Sequence, residues 1–240
     1  MNGHAVSALR TYFGTEIPAV LWSPPDPRPD ALPAVAPAPR ELSDEELIAL
    51  RVLSDPAVRI EGRATGELES KLCLARSGNA TARIVRSAGT ATVDLPHCDG
   101  SAGRLAQLVT PLLGAAPAAD PAVAASFAAG PGRDALTCGG DGGEIAAELR
   151  RIGVEAEAAR LIGRAFDRST RSAEFTVYAG QARMPAVVAV IDGPVGRIVA
   201  FTAADEVGGG WTAVAEGTAH RVGRALRRAC EELPGGGWMP

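Results

Sequence analysis

Two blocks of short apolar segments, joined by turns too brief for anything but chain reversal, constrain this sequence most. The first block holds segments at 58–64, 72–76, 82–86 and 90–95, with Ser77-Gly78-Asn79 and Ala88-Gly89 between the later three. The second holds segments at 173–179, 186–191, 197–202 and 211–215, with Gly193-Pro194-Val195-Gly196 between its second and third. Parallel neighbours need a crossover of about a dozen residues or more, whereas a tight turn joins antiparallel ones. Both blocks are therefore read as antiparallel meanders. The Gly-Pro-Val-Gly turn leads into a strand. A phosphate cradle aims several glycine amides at one point beside a helix N-terminus, so this turn is read as a hairpin.

Helical periodicity borders the meanders. Ser43 and Glu46 form a capping box ahead of Leu47, Ile48, Leu50 and Leu53, which are expected to share one apolar face. Asp55-Pro56 stops that helix. Further helices are expected at 101–113, with Leu105, Leu108 and Leu112 inward, at 144–152 and 155–166, broken at Gly153, and at 218–233, with Val222, Leu226, Ala229 and Leu233 inward. Residues 4–14 are weakly helical. The stretch 23–40 is dense in proline and reads as a semi-rigid connector.

The halves also repeat. Arg83-Ile84-Val85 falls on Arg197-Ile198-Val199, and GSAGRL at 100–105 falls on GTAHRV at 217–222. The expected fold is α+β: a duplicated helix–four-strand–helix unit with a central antiparallel sheet, flanking helical bundles and a pseudo-twofold relation. One domain is expected over 1–240, with the connector at 23–40, a first half at 43–113, a linker at 114–143 holding one short element near 123–127, a second half at 144–233, and a loose tail at 234–240.

Composition narrows function. Aromatics are only 4% of the chain against 46% hydrophobic residues, so the core is built from Ala, Val, Leu and Ile. A net charge of −4 argues against nucleic acid as a partner. The longest apolar run, 185–191, is far short of the roughly 20 residues of a membrane span, and no export signal is visible, so no membrane insertion and a cytoplasmic location are expected. Cys73, Cys98, Cys138 and Cys230 are scattered without paired ligand spacing, so no metal or other cofactor is expected. His97-Cys98 is the nearest approach to a thiol–imidazole pair, and adjacent residues on an irregular segment rarely reach catalytic geometry. Asp192 and Asp205 are placed in turns. The Gly-rich stretch from Cys138 to Gly143 is the best anion-nest candidate, outweighed by its reading as a linker with a helix start. No catalytic residues are assigned, and the chain is not expected to be an enzyme. The rival to a protein-binding role is a non-catalytic module enclosing a small ligand in an apolar pocket.

Several segments together resemble the EspG family, the secretion-associated chaperones of type VII (ESX) secretion systems. They are ALRTYFGTEIPAVL, LSDEELIALRVLSDPAVRIEGRA, LCLARSGNATARIVRSAGTATVDL, GVEAEAARLIGRAF, SAEFTVYAG, AVVAVIDGPVGRI and GGGWTAVAEGTAHRVGRAL. The resemblance covers most of the chain. It implies a cytosolic specificity chaperone that binds PE–PPE heterodimers, contacts the apolar helical tip of the PPE protein, and keeps the cargo soluble. It also implies a partner surface made of sheet, an early inter-strand loop and a helical bundle. Binding residues follow from pattern: Glu174, Thr176 and Tyr178 share one face of a strand whose other face carries Ala173, Phe175 and Val177. The loop from Glu61 to Lys71 is the best match for the early loop, with Gly66, Glu67, Leu68 and Glu69 as its contact residues. Trp211 is assigned to the core.

Overall fold

The computed structural model describes residues 43–67, 69–88, 90–179, 182–204, 210–232 and 237–239, with the side chains of 182–185, 203 and 204 left aside. The weak helix at 4–14, the proline connector at 23–40, Leu68, Asp205 and Leu233 fall outside them.

Both meanders form. Strands β1 (Val58–Thr65), β2 (Ser70–Ser77), β3 (Ala80–Ser87) and β4 (Thr90–Asp94) make the first, and β6 (Arg171–Ala179), β7 (Ala182–Gly193), β8 (Gly196–Ala204) and β9 (Gly210–Glu216) the second. All pair antiparallel in one nine-stranded sheet, ordered β4-β3-β2-β1-β6-β7-β8-β9-β5. The meanders meet through their first strands, so their eight strands mirror each other about the β1–β6 pair, and β5 is added beyond β9.

The ninth strand is where the sequence reading falls short. The expected linker carries a 3-10 turn (Pro121–Val123), strand β5 (Ala125–Ala128) and a helix (Ala129–Leu136). Strand β5 pairs with β9 and forms the sheet edge. The linker's Ala, Gly and Pro content carries little periodic signal, and its large core residues are only Val123, fully buried, and Phe127, at 2% exposure.

Six helices frame the sheet: α1 (Asp44–Ser54), α2 (Ala102–Leu113), α3 (Ala129–Leu136), α4 (Gly142–Arg151), α5 (Ala156–Asp167) and α6 (Ala219–Glu231). Each long helix begins where the chemistry of its first turn predicts. Ser43 and Asp141 close capping boxes, and the Ser101 and Thr218 hydroxyls accept N3 amides. On one face of the sheet α2 and α6 pack together over the central strands, with Leu72, Leu74, Phe175, Val188 and Val199 beneath them. On the other face α1 covers Cys73, Ala75, Ala82 and Ile84. At the far side of that face, α4 and α5 cover Ile191, Ile198, Ala200 and Val214. Matched positions take matched faces: Ile84 and Ile198 point to the α1/α5 side, and Val85 and Val199 to the α2/α6 side.

Two expectations about burial are corrected. Helix α1 buries Ala49, Leu50, Val52 and Leu53 and leaves Leu47 and Ile48 exposed, because its core-facing stripe lies one step round the helix. The tail is anchored where it is described: Trp238 is only 2% exposed, and Gly237 donates its amide to the Cys230 carbonyl at 3.1 Å.

The Gly-Pro-Val-Gly turn reverses the chain, with Gly193 opposite Gly196. Gly196 takes φ +93, and a Cβ there would lie 2.8 Å from the Ala118 backbone. A second close approach joins α2 to α6: a Cβ on Gly223 would run into the carbonyl of Ala102. Gly223→Ala is therefore expected to push these helices apart and cost about 1–3 kcal/mol. Gly103→Ala, at a helical site with open space around it, is expected to be neutral or to stabilise by about 0.5 kcal/mol. Urea unfolding midpoints of the two variants should move in opposite directions, or only the first should fall.

Candidate partner-binding surface

Period-two alternation divides β6. Ala173, Phe175 and Val177 enter the core, while Glu174 is exposed and Thr176 and Tyr178 are half-buried on the opposite face. Strand β1 adds a second row to that face. Its register sets Arg59 against Tyr178, Glu61 against Thr176 and Arg63 against Glu174. Strand β2 adds a third, with Cys73 opposite Glu61 and Lys71 opposite Arg63. Helix α1 stands over β2–β4 on one side of this stripe, and the α4–α5 pair stands over the second meander on the other.

The stripe is graded from buried to exposed. At its inner end Arg59 Nε lies 2.9 Å from Glu61 Oε1, with the side chains 14% and 6% exposed. The Arg59 guanidinium also sits 4.4 Å above the Tyr178 ring, a cation–π contact of about 1 kcal/mol that holds the phenol in place. At its outer end Glu69 receives Arg63 at 3.0 Å and Lys71 at 3.6 Å.

Gly66, Glu67 and Glu69 lie on the exposed loop at that outer end. The adjoining Thr65 and Ser172 hydroxyls are hydrogen-bonded at 2.8 Å. Tyr178 pairs with Arg59, six residues back along β1 from Thr65. At about 3.3 Å per residue, the tyrosine and the loop are roughly 20 Å apart. Glu174 and Thr176 lie between them, so the sequence-assigned residues line one face without converging on one point. Arg59 was not singled out from the sequence, and Glu61, Arg63 and Lys71, expected in the recognition loop, lie on β1 and β2 instead. The signal was present in RIEGR, where charged residues alternate along a strand.

Other assignments come out differently. Trp211 is 62% exposed, because α6 covers β6–β8 and leaves the outer strands bare. Asp192 lies within β7 and accepts from Arg197 Nε at 2.6 Å and Nη2 at 2.8 Å. In the Gly-rich stretch the Gly143 and Glu144 amides both donate to Asp141 Oδ1, so the helix start caps itself. Cys98 is buried and His97 exposed. Burial pushes the Cys98 thiol up. Burial and then the Glu61 charge push Cys73 far up, and burial, aided by Cys98, pushes Cys230 up to about 12. Clefts of about 330, 480 and 690 Å³ open to solvent along the surface, and each is a surface cleft rather than an enclosed apolar cavity.

A family model described as the EspG family matches residues 34–228. The structure of the Mycobacterium tuberculosis type VII secretion system chaperone EspG5 in complex with PE25-PPE41 dimer matches with a TM-score of 0.77 at 20% identity, over 99% of this chain and 97% of that one. At that identity the likeness shows the fold. No curated protein sequence matches the chain significantly.

Two outcomes are expected. Arg59→Ala leaves the Glu61 carboxylate short of its cation in a buried position and should cost about 2–3 kcal/mol in urea unfolding. Arg59→Met combined with Glu61→Met should recover most of that loss. The raised thiols of Cys73 and Cys230 give a basic limb: an unfolded cysteine ionises at about 8.5, well below these two folded groups. Their contribution is complete below that pH and is lost as pH climbs toward 12, by up to about 1.4 kcal/mol per unit for each thiol. Cys230→Ala should make the decline between pH 8 and 10 shallower.

Proposed function

The chain belongs to the EspG family, and from that premise we propose that it is a cytosolic, non-catalytic specificity chaperone that binds a PE–PPE cargo heterodimer and keeps it soluble for export. Its membership over residues 34–228 carries the proposal. Support comes from the shared fold with a protein whose structure was solved in complex with a PE25-PPE41 dimer. No helix among the described residues is long and apolar enough to cross a membrane.

The β1–β6 face is the surface we assign to the cargo. Tyr178 offers a ring on one side and a hydroxyl at its tip, the mixed character enriched in interface anchors. Arg59 holds that ring, so little side-chain entropy is lost on binding. Thr176 and Glu174 extend the contact towards the loop, where Gly66, Glu67 and Glu69 supply a polar rim; Leu68, also assigned to this loop, lies outside the described residues. An apolar helical tip seated against Tyr178 would lose the exposed hydrophobic patch that makes free cargo self-associate. Binding of the assembled pair would stabilise that state by mass action.

Co-expression with PE–PPE pairs, followed by size-exclusion chromatography, tests the reading. One pair is expected to co-elute with the chain. Tyr178→Ala should weaken capture at least about tenfold, which is about 1.4 kcal/mol. Glu174→Arg should weaken it and change its salt dependence. Separate elution with every pair would overturn the chaperone reading. Undiminished capture by both variants would move the cargo off this face.

A further inference from the structure

The large hydrophobics exposed among the described residues are Leu47, Ile48, Trp211 and Met239. Three of these four fall on two patches of opposite charge.

The first patch is the groove beside α6. Its floor is the bare face of β9, with Ala213 and Ala215, bounded on the β8 side by the edge of the buried Phe201, and its volume is about 330 Å³. Trp211, 62% exposed, extends that floor along the same face of β9. Arg221, Arg224 and Arg228 line the rim, spaced so that one helix face presents all three. Arg221 reaches Glu216 at 2.9 Å, and Arg228 reaches Glu232 only at 3.7 Å while also lying 5.5 Å from the Phe201 ring. Arg224 makes no ion pair among the described residues. The second patch is the outer side of α1. Asp44 and Glu45 are exposed in its first turn, with Leu47 at 38% and Ile48 at 51% exposure one turn on. Residues three and four apart share a helix face, so the acids and the two apolar side chains form one surface.

We propose that the groove along α6 receives helix α1 of a second copy of this chain. Ile48 and Leu47 would lie against the Trp211–Ala213 floor, with Asp44 and Glu45 against the arginine rim. Within one chain the patches cannot meet, because α1 packs over β2–β4 on one face and the groove opens over β8–β9 on the other. The contact joins unlike surfaces, so it is heterologous, and each added copy leaves a groove and a helix free. Assembly therefore grows with concentration, and its charged component weakens as salt rises. This inference does not depend on the cargo assignment, which concerns other residues.

Sedimentation velocity of the full chain, from low-micromolar to submillimolar concentration, tests it. The weight-average mass should rise with concentration, and the rise should shrink at high salt. Ile48→Asp and Arg224→Glu should each weaken association at least about tenfold. Glu45→Arg should weaken it too, and Glu45→Arg combined with Arg224→Glu should restore it. All three substituted sites are exposed, and circular dichroism checks that each variant folds. A monomer at every concentration overturns the proposal, as does association that Ile48→Asp leaves intact. Loss in Arg224→Glu alone would give the groove to another segment and also overturn it.

Discussion

The antiparallel pairing of β1 with β6 is the interaction on which the rest of the structure depends. Within the sheet it is the only seam between the two meanders. Its packing turns on Gly62, which stands opposite Phe175. A Cβ at Gly62 would lie 2.7 Å from both the Phe175 ring and Leu112. The missing side chain lets the ring lie flat across the strand and meet α2. Phe175 is fully buried, so seam, ring and helix form one close-packed unit in which added volume is poorly tolerated.

The helix layer is tied to that seam by arginines at one end of α2. Arg171, from β6, donates to the Leu112 carbonyl at 2.6 Å, and Arg197, from β8, donates to the Leu113 and Gly114 carbonyls at 2.9 and 3.1 Å. Helix C-termini leave carbonyls without intrahelical partners and carry partial negative charge, so guanidinium groups satisfy both needs. Arg197 is only 7% exposed and could not stay charged there unaided. Its fork is filled by Asp192 on one side and the helix end on the other. In a chain whose only lysine is Lys71, the planar, multiply donating guanidinium does this work throughout.

What was legible in the sequence follows from which forces act locally. Eight strands and the five long helices were readable, apart from which face α1 buries, because tight turns, caps and periodicity are properties of neighbouring residues. Strand β5 and helix α3 were not, since Ala-Gly-Pro segments become strand or helix only when a tertiary edge accepts them. Trp211 and Ile48 were misassigned for a related reason. Whether an apolar position is covered depends on how far a distant helix extends, and alternation says only which face it is on. The candidate surface divided the same way. Alternation put Glu174, Thr176 and Tyr178 on one face of β6, but that Arg59 stacks on Tyr178 required knowing that β1 is the neighbour.

The same alternation explains how one strand pair serves two demands. Alternate positions of β6 face opposite sides of the sheet, so Phe175 enters the core while Tyr178 and Glu174 stand on the other face. A chaperone surface must remain soluble when empty and still receive an apolar partner. An open apolar floor meets only the second need. Here the ionic pair Arg59–Glu61 is already formed beneath the surface, and the arginine carries Tyr178 on its plane, so the ring is held ready without an exposed hydrophobic patch. The groove beside α6 is built the other way, with a bare apolar floor and charges confined to its rim. A surface of that kind favours association whenever an acidic amphipathic helix is available, and α1 of another copy is one. The two faces of the sheet thus differ in whether their polar groups lie under the contact or around it. That difference separates a surface held ready for one partner from one that pairs copies of the chain.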